Sequence, residues 1–298
     1  MDKPWAESRN WEADLELAFA PRNRRTELAR VSFRGPLGVQ RLFHPEPAPS
    51  LDALAAPAHC YVLHPPGGLA GGDSLRISLS VRSGAHALVT TPAAGKIYRT
   101  AEDSAGQSQK VEAEIGDGAL EWLPRETIAF SGARAETSLT VRLNGRGRFI
   151  GWEILTLGRA ASRLPFSAGR MGQRFRLERE GSPLLAERLE FEAGDAWTRG
   201  DFGLGRCGAL LNFWAAGRAA DHPGIEEAVA RIKNRLASMA GPADGKTRAG
   251  ATFRDGVAVV RYLGNDGRQA FLTALAAWET IRPALLGRPA CRPRIWNL

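Results

Sequence analysis

Residues 64–100 read HPPGGLAGGDSLRISLSVRSGAHALVTTPAAGKIYRT. Pro65 and Pro66 fix φ and remove two amide donors, so the opening is extended and cannot be helix. Gly67-Gly68 and Gly71-Gly72 give the backbone access to conformations closed to other residues. After Asp73 the pattern alternates: Leu75, Ile77, Leu79 and Val81 share one face, with Arg76, Ser78 and Ser80 on the other. That period of two is a strand. Ser83-Gly84 turns the chain into a second strand, which ends in a Thr-, Pro- and Gly-rich loop carrying Lys96, Tyr98 and Arg99. Asp73 stands where loop becomes strand and has two readings. It bonds its own turn amides, which the local pattern favours, or it is a carboxylate held at a functional surface or inside a polar channel.

The same rhythm runs outward from this stretch. Upstream, a polar lead-in meets a strand around Leu15–Phe19, and 28–43 holds two short strands joined at Gly35-Pro36. Residues 44–59 carry four prolines and read as a surface loop before the apolar strand 60–63. Downstream, 109–115, 138–144 and 149–158 read as strands. Pro124 marks an edge or bulge within 119–130. Residues 173–179 and 186–191 form a hairpin across Gly181-Ser182-Pro183, and 252–264 returns to strand around Asp255-Gly256. The period changes near 222. Ile225, Ala228, Val229, Ile232, Leu236 and Met239 share a helical face, with Asp221 as cap and Gly241 as stop. A second helix over 266–286 carries Phe271, Leu275, Trp278 and Ile281, with Pro283 kinking or ending it. Strands succeed one another at about 10–15 residues without intervening helices, which argues against a parallel α/β sheet. The expectation is a mainly β protein with two helices in the C-terminal half, at about 222–240 and 266–286, in a single domain over 1–298.

Hydrophobic residues make up 44% and charged residues 24%, which suits a globular chain rather than a disordered one. The net charge of +8 is dispersed rather than gathered in a tail or recognition helix, so an acidic protein partner fits it better than nucleic acid. No apolar run reaches the length of a membrane span, and no signal-type apolar core is visible. Three scattered cysteines (Cys60, Cys207, Cys291) do not make a disulfide framework and fit a reducing compartment.

Gly203-x-Gly205-x-x-Gly208 lacks the strand and helix of a dinucleotide site, and Gly95-Lys96 lacks the rest of a phosphate loop. Cys60 and His64, with His59 or His86 as a third donor, form a weak metal pattern, and structural roles outweigh it. Glu121, Glu126, Glu153 and Glu187 lie within apolar strands. Each must be ion-paired, hydrogen-bonded or wet. The alternative to an arginine partner is a water-filled path whose carboxylates hold a borderline cation in transit.

HPPGGLAGGD (64–73), TTPAAGKIYR (90–99), EWLPRETIAF (121–130), GWEILTLGR (151–159) and PRIW (293–296) occur in an order that resembles the urease accessory protein D family, UreD. The chain departs from it at Leu69-Ala70, where larger aliphatics are frequent, and at Arg125, where Gln is common. The resemblance implies a β-helix-like stack of strands with two helices. It implies a cytoplasmic, non-enzymatic scaffold that joins UreF and the GTPase UreG on urease apoprotein while two nickel ions are placed. It implies further that no cofactor is held tightly, that nickel passes only transiently, and that neither nucleic acid nor membrane is a partner. Within an internal tunnel for nickel, Asp73 and Glu187 look like lining carboxylates. The competing reading is a metal-dependent hydrolase built on His64, Asp73 and His86.

Overall fold

The computed structural model describes residues 11–47, 54–239 and 247–297. Two β-sheets face one another, and two helices cover the outer side of the second. The first sheet runs, edge to edge, Ser182–Glu192, Gly169–Arg179, Ala133–Leu143, Gln107–Ile115, Ser74–Val81, Glu12–Arg22 and Arg25–Arg34. The second runs Arg248–Arg254, Val257–Gly264, Ala209–Ala216, Arg148–Leu157, Ala119–Trp122, His86–Thr90, Ala58–Leu63 and Gly38–Val39.

The chain alternates between the sheets, so successive visits to one sheet lie side by side in parallel. Ser74 pairs with Ser108, Gln107 with Ala135 and Ala133 with Gly169. This is a solenoid of roughly 30 residues per coil. The corners stack as the strands do: Gly84 N–H donates to Asp117 O, and Asn144 N–H to Ile115 O. A narrow third face is made by Gly95–Ile97 and Thr127–Ala129. The glycine loop forms its first rung through Leu69, giving the row Leu69–Ile97–Ala129–Leu157. Gly68 is a necessity of that close approach, because a Cβ there would lie 2.7 Å from Lys96 O and 2.6 Å from the Tyr98 ring. No sequence repeat accompanies the coils, since only the alternation of apolar positions has to recur.

The alternation buries two cores. Between the sheets, the row Leu15–Ile77–Val111–Leu139–Phe175 crosses five strands. On the other side of the second sheet, Leu88, Ile150, Trp152 and Phe213 pack against α2 (Gly224–Met239) and α3 (Gly267–Leu286), numbered after the one-turn α1 (Ala196–Arg199). Asp266 caps α3 by accepting from Arg268 N–H and Gln269 N–H.

Both long helices stand where the period change places them, and the fold is mainly β. Five local expectations need correction or fall outside the described residues. Pro283 does not end α3, which runs through it to Leu286 and closes on Gly287. The proline-rich stretch is not all surface loop, because Glu46 and Ala55–His59 are buried. Pro124 lies in the corner between two strands rather than within one. The lead-in over 1–10 and the stop at Gly241 lie outside the described residues.

Candidate functional site

The interior row does not end on an apolar residue. One strand beyond Phe175 its next position is Glu187, on the edge strand of the first sheet. Opposite, the second sheet carries a polar row across three strands, Glu153–Asn212–Arg261. All of these face inward, because their neighbours in sequence (Trp152, Ile154, Leu211, Phe213, Val260, Tyr262) face the helices. Where the two rows meet, a cavity of about 540 Å³ opens between the sheets, lined among others by Glu153, Gln173, Glu187, Asn212, Trp214 and Arg261.

The two carboxylates in this cavity differ in their surroundings. Glu187 is ion-paired with Arg261 and accepts from Trp214 Nε1 at 2.9 Å. Trp214 is itself stacked on Phe175, with centroids 3.8 Å apart. Glu153 has Gln173 Nε2 at 3.4 Å, and burial pushes its carboxyl up to about 8. Its remaining exposure is to the cavity it lines. A carboxyl raised in this way, beside a roomy cavity that also holds Gln173, Asn212 and Arg261, can exchange a proton for a cation or a water molecule.

Asp73 does not line this cavity. It opens the strand Ser74–Val81, which is four inter-strand steps across the first sheet from the strand of Glu187, a spacing of roughly 19 Å. Its carboxylate accepts from Ala70 N–H at 2.7 Å and Trp11 N–H at 3.2 Å, which closes the glycine loop on itself. The turn reading of Asp73 therefore describes its bonds in this structure.

Cys60, His64 and His86 do not form a metal site. Cys60 points into the core between the sheets, where burial pushes its thiol up to about 12. His86 is buried under α3, on the opposite face of the same sheet, with Nε2 donating to Glu121 at 2.7 Å. His64 lines a separate cavity of about 150 Å³ beside the glycine loop, and burial holds its basicity down against the pull of Asp73. The same distribution sets His86, beneath α3, apart from His64 and Asp73, so the trio the hydrolase reading needs does not come together.

Of the other carboxylates flagged in strands, Glu126 lies beside the Arg125 guanidinium at 3.5 Å. Glu121 is fully buried. It accepts from Trp278 Nε1 at 2.5 Å and from Arg282 Nε at 3.0 Å, in addition to His86. Burial alone would raise it, but Arg282 and His86 hold its carboxyl well below the usual carboxylate range. Arg282 reaches further, to Glu46 Oε1 at 2.7 Å, and Glu46 also accepts from His59 Nε2 at 3.0 Å. The sequence flags Glu121, but not Glu46 within its proline run or Arg282 among the apolar residues of a helix. The available signal was a charged residue next to Ile281 on the helical stripe.

A mainly parallel β-solenoid with a carboxylate-lined interior and a helical cover is thus the class of protein defined by fold and site. The family model described as UreD urease accessory protein matches residues 12–297. Similar proteins include "Urease accessory protein UreD" of Chromohalobacter salexigens, 43% identical over 97% of this chain and 89% of that one. Those of Dechloromonas aromatica (41%; 97% and 96%) and Marinobacter nauticus (38%; 97% and 93%) carry the same name. The chain belongs to the UreD family of urease accessory proteins. Membership places it in urease maturation.

Proposed function

We propose that this protein is a cytoplasmic scaffold of urease maturation that makes and breaks no covalent bonds. It joins a UreF-type protein and a UreG-type GTPase on urease apoprotein, and nickel crosses it through the interior cavity between Glu153 and Glu187. The observation that carries the reading is the meeting of an apolar row and a polar row around that cavity. Carboxylate oxygens hold a borderline divalent cation more loosely than thiolates do, as passage requires. Arg261 tethers one of the two carboxylates and leaves Glu153 to exchange its proton for the ion. The name shared by the relatives supports the urease side of the proposal.

The test is co-expression with urease and its other accessory proteins, followed by nickel analysis and pull-down. Deletion of the gene should leave urease largely inactive. Glu153→Ala and Glu187→Ala should each reduce nickel per urease several-fold while the partners still co-purify. Full nickel content in both variants removes the conduit, and full urease activity after deletion removes the role altogether.

A further inference from the structure

We propose that Glu46, His59 and Cys291 form a second cation site, for a borderline divalent metal ion of the zinc, cobalt or nickel class, where the segment after α3 crosses the second sheet. A carboxylate oxygen, a ring nitrogen and the Cys291 Sγ lie within 4.8 Å of one another. Two of the donors are buried and fixed by the fold. His59 is on the strand Ala58–Leu63, and Glu46 is pinned beneath α3 by Arg282. Cys291 is half-buried and gives the ion a way in. Oxygen, nitrogen and sulfur together suit this class of ion better than calcium or magnesium, which take oxygen alone.

A second observation concerns His59 itself. One ring nitrogen is engaged by Glu46, and the other, Nδ1, is buried with no hydrogen-bond partner among the described residues. The ion would enter where the hydrogen bond between Nε2 and Glu46 now lies, and Nδ1 would keep the proton of the neutral imidazole. Glu46 and Glu121 carry two negative charges, matched by the guanidinium charges of Arg282 and Arg288, and the histidines, when neutral, add none. Binding would expel the Cys291 thiol proton, and the thiolate then cancels one of the two charges of the ion. Arg282 need not move, because Glu121 and the Pro289 carbonyl hold it independently.

This site is separate from the interior cavity and stands or falls without it. The probe is cobalt(II) added to the metal-free full-length protein. One equivalent should bind with a thiolate-to-cobalt charge-transfer band in the near ultraviolet. Cys291→Ser should lose that band, and Glu153→Gln with Glu187→Gln should keep it. No band in the unaltered protein, or an undiminished band in Cys291→Ser, overturns the site. The unaltered chain gives an independent reading. Zinc should slow alkylation of Cys291, followed by mass spectrometry, by about tenfold or more, and an unchanged rate counts against the proposal.

Discussion

Glu121 and Glu153 sit on adjacent strands of one sheet and have opposite surroundings. Glu121 is folded into donors from Trp278, Arg282 and His86, whereas Glu153 has a single amide at 3.4 Å. Glu153 is raised on folding, to about 8, so it favours the folded state least where it must ionise. Its contribution is neutral at acid pH and becomes a penalty as pH climbs from its unfolded value to 8. Glu153→Gln should therefore stabilise the protein at pH 8, by about 2 kcal/mol after allowing for the polar cavity, and give no gain near pH 4. Thermal melts of the two proteins across that range measure the difference. Glu121 is held low, so its stabilisation is present at neutral pH and fades only as strong acid protonates it. Removing its cation is the harsher change. Arg282→Met should cost about 3–5 kcal/mol, because it strands two buried carboxylates, and adding Glu121→Gln should recover part of the loss. Denaturant titration of the single and double variants reads both effects.

At the scale of elements, helix α3 is the part on which the most depends. It supplies Trp278 and Arg282 to the buried cluster and Ala274, Ile281 and Leu285 to the outer core. Its start is set by Asp266, so Asp266→Ala should cost about 1 kcal/mol, read from the urea midpoint. This helix was legible in the sequence because its cap and apolar stripe are local signals, and the same holds for the clean strands 74–81 and 138–144. The order in which strands pair was not legible. Alternation says that Leu79 and Val141 face inward, but it does not say that Ala113 lies between them, since pairing depends on how far the chain travels before it returns. For the same reason only half of the candidate site could be read. Glu187 was identifiable as an odd carboxylate, while its meeting with Glu153 joins strands of two different sheets. Asp73 was the opposite case: its local environment, a turn with free amides, already accounted for it.

At the scale of the molecule, the parallel stack is bounded by antiparallel pairs. The first sheet ends in Arg25–Arg34 on one side and Ser182–Glu192 on the other, and the second in the hairpin of Arg248–Arg254 with Val257–Gly264. The outermost strands carry Arg30, Arg34, Arg188 and Glu190. Charged edges of this kind discourage the end-to-end growth to which an open stack is prone. No helix among the described residues is long and apolar enough to cross a membrane.

The pairing of Arg282 with Glu46, 236 residues apart, bears on how the protein is made. A ribosome delivers both carboxylates of the cluster long before it delivers the guanidinium that neutralises them. Until then the outer face of the nascent second sheet has to stay hydrated and open to chaperones. Protease challenge of arrested chains of increasing length should show the 119–157 region guarded only after residue 282 has emerged. Synthesis of that arginine would then be the event that seals the sheet.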